Sequence, residues 1–214
     1  LSSTGSSGSS ICATGTAFVS KVLTGCVKHG DSHDNGGDSG SDFLLLEADD
    51  ATIPDSYTHF WNGWDATGNG STGGVGIHHP AGSEKKISTY TVSTVSSTWY
   101  TVPNTHWRIT WAPTTHGDGV TEGGSSGSPL FNTAHRIIGT LTGGTSCCTV
   151  GGCGNGTGPT QPDWYGKVSY HWQSDGGTVS EKLKYWLDPN GTGLLSMDGS
   201  YGPCGHLGVG EIHD

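Results

Sequence analysis

The sequence is poor in charge and in apolar bulk. Charged residues make up 13% of its 214 positions and hydrophobic residues 31%, with a single methionine. That composition excludes a coiled coil or a helical bundle built from Ala, Leu and Glu. No apolar run approaches the ~18 residues that a membrane-spanning helix requires. Lys and Arg number only nine against 19 Asp and Glu, a net charge of −10. This acidic balance argues against nucleic acid as a partner. The first ten residues are rich in Ser and Gly and carry neither a basic region nor an apolar stretch. They are therefore no signal peptide, and the chain reads as a mature product whose export signal lay upstream.

Glycine is abundant, at 38 residues, and eight Trp, seven Tyr and four Phe accompany it. The aromatics supply buriable surface that a disordered chain lacks. Six cysteines and three Asn-x-Ser/Thr triplets, at Asn69, Asn155 and Asn190, point to an oxidising, extracellular compartment. Each triplet sits in a Gly-rich loop where a glycan can attach, although Asn-Gly is also a good turn former.

Short β-type runs dominate. Residues 16–23, 43–47, 74–79, 87–95, 98–102, 107–111, 129–131, 136–142 and 164–172 read as strands separated by Gly, Pro, Asn and Asp clusters. One segment reads as a helix: Thr178 and Glu181 fit a capping box, Val179, Leu183, Trp186 and Leu187 share a face, and Pro189 stops it. The expectation is an all-β fold with a late helix.

The segment Gly124-Ser125-Ser126-Gly127-Ser128-Pro129 carries the sharpest chemical signal. Flanking glycines permit a tight turn that presents a serine and its neighbouring amides to a carbonyl group. The plain alternative is a Ser/Gly turn. The surroundings favour the first reading. Gly119-Val120-Thr121-Glu122-Gly123 precedes the segment, and His135-Arg136-Ile137-Ile138-Gly139-Thr140-Leu141-Thr142-Gly143-Gly144 follows it. Further blocks are Ser41-Asp42-Phe43-Leu44-Leu45-Leu46-Glu47, Phe60-Trp61-Asn62-Gly63-Trp64-Asp65, Ile77-His78-His79-Pro80, Glu84-Lys85-Lys86-Ile87-Ser88 and Trp186-Leu187-Asp188-Pro189. In this order they resemble the chymotrypsin-like serine proteases, and most closely the bacterial lysyl endopeptidase branch.

The resemblance implies a double Greek-key barrel with a short C-terminal helix, the first barrel being incomplete in this chain. Residues 1–11 would be a flexible Ser/Gly arm, 12–72 the rest of the first barrel and the connection, 73–199 the second barrel with the helix, and 200–214 a tail. By resemblance Ser126 is the nucleophile, Asp42 the orienting carboxylate, and the Gly124 and Ser126 amides the oxyanion hole. Asp163 stands at the base of the specificity pocket, where it would pair a substrate Lys or Arg, and Trp99 lies near a pocket tryptophan. Thr142 departs from the histidine of the lysyl branch, which leaves Lys versus Arg open. A calcium loop over Asp31, His33, Asn35, Gly36 and Asp42 is the rival for that stretch. It has His at its third position and no flanking helices. No cofactor and no metal is expected.

The catalytic histidine of the family precedes the aspartate in a His-Cys motif. His29 and His33 precede Asp42 here, and neither has an adjacent cysteine. The reading is that the histidine lies outside this chain. The resemblance puts disulfide partners for Cys12 and for Cys147 or Cys148 in that outside segment. Pairing within the chain, Cys12 with Cys26 and Cys147 or Cys148 with Cys153, with Cys204 in a third bridge, stays open. An incomplete barrel also calls for a companion fragment or neighbouring copies to complete it. Two functions follow as expectations: a secreted serine endopeptidase cleaving after basic residues of a peptide or protein, or an inactive protease-like structural or binding domain, such as a filament subunit.

Overall fold

The computed structural model describes residues 25–48, 60–115, 117–148, 158–174 and 177–201. The segment 16–23 and the cysteines Cys12, Cys153 and Cys204 lie outside them, as does Asn155.

A first hairpin pairs β1 (Cys26–Asp31) with β2 (Leu44–Ala48), antiparallel, with a register shift between Lys28 and Gly30. Most of the remaining strands form one nine-stranded sheet. Its main path runs β5 (Lys86–Tyr90), β4 (Gly74–His78), β10 (Pro129–Phe131), β11 (Arg136–Gly144), β12 (Pro162–Lys167), β7 (His106–Thr110) and β6 (Val95–Ser97). A side branch joins β3 (Gly63–Asp65), parallel to β11, and β13 (Ser196–Met197). β8 (Pro113–Thr114) and β9 (Gly117–Asp118) form a minimal ribbon. The all-β, chymotrypsin-like expectation holds, and no closed barrel is formed among the described residues.

Two packed clusters hold the sheet. Tyr90, Trp107, Ile109, Trp111, Leu130, Ile138, Leu141 and Tyr165 form the larger one, drawing on β5, β7, β10, β11 and β12. Full burial of such side chains contributes about 1.5–3 kcal/mol each, which is how so few apolar residues sustain a core. Trp64, Ala66, Val168 and Trp172 form the second, beneath α1 (Val168–His171) and α2 (Leu183–Leu187). Gly74 is required where β4 meets β10, because a Cβ there would fall 2.0 Å from the Phe131 carbonyl oxygen.

Four sequence expectations are corrected. The run 164–172 is no single strand: β12 ends at Lys167, whose amide bonds Thr105 O at 2.9 Å, and α1 follows. The run 87–95 divides into β5 and β6. Residues 98–102 form bends, because Trp99 turns inward onto Trp164 and Thr101 Oγ1 donates to Asp38 O. The late helix splits at Lys182, which is extended (φ −90°, ψ 140°) between a 3-10 turn (Val179–Glu181) and α2. Its capping box does form, with the Thr178 amide donating to Glu181 Oε2 at 2.6 Å.

Candidate active site

The turn before β10 is built by short-range bonds. Ser125 N–H reaches Glu122 O at 2.9 Å and Ser128 N–H reaches Ser125 O at 3.1 Å. Gly124 (φ 94°) and Gly127 (φ 77°) take left-handed conformations that glycine adopts without a Cβ penalty. Gly127 N–H donates to Leu141 O at 2.8 Å, and Leu141 N–H returns to Ser128 O at 2.9 Å, fixing the turn to β11. Ser125 points inward and is buried, while Ser126 is exposed. Among the described residues, the Gly124 and Ser126 amides donate to no backbone acceptor.

His78 locks the inward serine. Its Nδ1 lies 2.8 Å from Ser125 Oγ and its Nε2 lies 3.0 Å from Ser88 Oγ. Ser88 spends its own proton on Val120 O, so Nε2–H donates to Ser88 and Nδ1 accepts from Ser125. Ser125 Oγ in turn accepts the Glu122 amide at 3.2 Å. Burial, with a smaller push from His79, lowers His78 to about 4. Between pH 6.5 and about 4 the unfolded chain takes up a proton that the native imidazole refuses. Stability from this site is therefore full above pH 6.5 and falls by about 3 kcal/mol as pH drops towards 4. Urea titrations across that range should show the loss, and His78→Gln should flatten it. A wild-type curve as flat as the variant's would refute the assignment.

Asp42 closes the loop between β1 and β2. It is half-buried and left-handed (φ 57°), and its N–H donates to Asp34 Oδ2 at 2.8 Å. Gly37 (φ 95°) joins this loop to β11. A Cβ on Gly37 would lie 3.3 Å from Thr142 Cγ2, 3.4 Å from Asp42 Cβ and 3.0 Å from the Trp99 ring. Asp42 and Thr142 therefore lie together, one residue along β11 from the Leu141 carbonyl that holds the serine turn. Thr142 Oγ1 itself is turned inward, 3.0 Å from His106 Nε2.

Asp163 is completely buried on β12, opposite Gly144 of β11. Oδ2 accepts Trp111 Nε1–H (2.6 Å), Thr121 O–H (2.9 Å) and Ser146 O–H (2.6 Å). Oδ1 accepts the Ser146 amide at 3.1 Å. Burial raises this carboxyl above its ordinary range, against the pull of Ser146, Trp111 and Thr121. A Cβ at Gly144 would stand 1.8 Å from Oδ1, so the carboxylate packs directly against the bare glycine. Trp99 lies across Gly143, 3.2 Å from where its Cβ would be, and tilts against Trp164 at 5.4 Å.

The structure thus gathers Asp42, Thr142, Trp99 and the Ser126 turn along the end of β11, with Asp163 behind its last residue. His29 pairs with Glu47, and His33 with Glu181 at 2.5 Å. His79 bonds Ser83 O, and His106 bonds Thr105 and Thr142. Among the described residues no histidine side chain hydrogen-bonds Ser126. No cluster of metal-binding side chains occurs among them either. Cys147 and Cys148 are both disulfide-bonded. Cys26 is a free, exposed thiol, which corrects the Cys12–Cys26 pairing. Asn69 and Asn190 are exposed. Sequence reasoning missed Trp111, Thr121 and Ser146 as the holders of Asp163, and His171, which bonds Ser41 and Thr140. Only Thr121 carried a signal, as part of the block before the nucleophile turn.

The family described as "Lysyl endopeptidase, C-terminal domain" matches residues 7–166. A lysyl endopeptidase of Pseudomonas aeruginosa is 41% identical over 117 residues, covering 52% of this chain. The match spans 23% of that relative's length.

Proposed function

The chain belongs to the lysyl endopeptidase C-terminal-domain family, and from that premise we propose that it forms the nucleophile-bearing part of a secreted serine endopeptidase. The observation that carries the reading is that the exposed Ser126 turn is tied to Leu141 while Asp42 sits beside the next β11 residue, Thr142, at Gly37. Ser126 Oγ attacks the scissile carbonyl. Its proton passes to an imidazole supplied from outside this chain, which then hands it to the leaving amine. Asp42 orients that imidazole. The Gly124 and Ser126 amides receive the oxyanion, and water later releases the acyl group by the same route. Asp163 selects a basic side chain before the scissile bond, and Trp99 walls the approach.

The proposal is tested on the full secreted translation product with a fluorophosphonate probe. Ser126 is expected to be labelled, and Ser126→Ala to abolish labelling. An unlabelled wild-type protein sinks the catalytic reading.

One observation favours the second reading, a protease-like structural or binding domain. The β1–β2 hairpin leaves Val27, Leu44 and Leu46 about half exposed. A companion fragment or strands of neighbouring copies would cover this face, and end-to-end repetition would make a filament. Filaments in electron micrographs, together with no labelling, would select this reading. A compact ~22 kDa monomer would count against it.

A further inference from the structure

We infer that His171 is a positioning residue for Asp42, gripping both of the residues that flank it. The inference rests on the reading of Asp42 as the orienting carboxylate.

His171 ends α1 and is 1% exposed. Its Nδ1 is hydrogen-bonded with Ser41 Oγ at 2.7 Å, and its Nε2 with Thr140 Oγ1 at 3.1 Å. Its ring stacks on Phe43, with centroids 5.0 Å apart and planes at 29°. One side chain therefore touches residues 41 and 43, immediately before and after Asp42. The Ser41 carbonyl is pressed down in the same place. A Cβ at Gly166 would fall 1.7 Å from that oxygen and 2.9 Å from His171 Cε1.

The backbone at Asp42 makes such a grip necessary. A non-glycine residue in the left-handed region is unfavourable and persists only where its surroundings impose it. Ser41 and Phe43 are both buried; Ser41 Oγ and the Phe43 ring meet at His171, while the Phe43 main chain is also tied to Ser32 through its N–H and C=O. The Asp34 carboxylate adds a hold at the Asp42 amide.

The strand explains the alignment. Thr140 and Thr142 are two residues apart on β11, where the register with β12 shifts between Leu141 and Gly143. Thr140 anchors His171, and the Thr142 methyl closes on Gly37 beside Asp42. The strand that fixes the Ser126 turn through Leu141 thereby also fixes Asp42, through an imidazole. A histidine suits this place because it offers two ring nitrogens at opposite corners and a flat face. Phenylalanine would keep only the face, and asparagine only the nearer polar contact.

The test uses the full secreted translation product carrying His171→Phe, His171→Asn, Ser41→Ala and the double change His171→Phe with Ser41→Ala. Amide exchange reads positioning directly. In His171→Phe the Asp42 amide should exchange at least ~10-fold faster, while the Leu130 and Ile138 amides stay as in wild type. Peptide hydrolysis should lose about 10–100-fold in kcat with KM within about threefold, because a misplaced orienting group costs rate more than binding. The acid limb of the pH profile should move with it. Ser41→Ala should reproduce part of the loss, and the double variant should be no worse than His171→Phe alone. His171→Asn should fall between, and it serves if the phenylalanine variant does not fold. Unchanged Asp42 exchange would overturn the inference. So would faster exchange spread equally over the core amides, which marks a purely structural role. A wild type that takes no fluorophosphonate label would fell the protease reading instead, and the exchange measurement would still decide for or against His171.

Discussion

Asp42→Asn should slow peptide hydrolysis and fluorophosphonate labelling by about 10⁴-fold while leaving KM nearly unchanged. The orienting carboxylate only accepts hydrogen bonds, so it fixes the imidazole tautomer whose far nitrogen is bare towards Ser126. An amide can present N–H instead and favour the other tautomer, in which that far nitrogen carries a hydrogen and cannot take the serine proton. Binding should persist, because Asp163 and the Gly143–Gly144 end of β11 are untouched. The fold should persist too: the bond to Asp34 is made by the Asp42 main-chain amide, which the substitution keeps. Rates of the purified variant within about threefold of wild type would remove Asp42 from the mechanism.

Asp163→Ala should cost both stability and selectivity. The carboxylate is the acceptor for four donors, from Trp111, Thr121 and twice from Ser146. Deleting it leaves all four buried without a partner, at about 1–3 kcal/mol each before relaxation, so a net loss of about 3–5 kcal/mol is expected in urea unfolding. That is a large share of a typical domain's 5–15 kcal/mol. Asp163→Asn should lose less, since its oxygen still accepts while its amide faces other donors. Preference for Lys or Arg peptides over neutral ones should fall at least ~100-fold in either variant, because the opposite charge is gone. A destabilisation below about 1 kcal/mol would mean the donors find other acceptors.

Sequence pattern made much of this legible where the signal was local. The Gly124–Pro129 motif reads as a tight turn because glycines at 124 and 127 can take left-handed conformations that other residues avoid, and both do. Apolar runs over 107–111 and 129–131 read as strands because their residues reach the main core, as Leu130 and Ile109 do. The late helix was legible in its cap and illegible at Lys182. There tertiary bonds displace the helical ladder: Lys182 Nζ donates to Gln173 O at 2.7 Å and Lys184 N–H to Trp172 O at 3.0 Å. The histidines show the deeper limit. His171 and Ser41 are 130 positions apart and His106 and Thr142 are 36 apart, so neither pairing leaves a trace in any short window. Thr142 read as a bare departure from a family histidine, whereas in three dimensions an imidazole from another strand stands behind it.

β11 carries several duties in nine residues: main-core packing through Ile138 and Leu141, a parallel partner for β3, anchorage of the serine turn, and the glycines over Asp163. No hinge separates these duties. The proposed centre could not loosen for turnover without loosening the scaffold, and a gain in robustness here would tighten the proposed reacting groups as well. A trade of rigidity against rate, residue by residue, is closed to this strand and falls to the loops that face it.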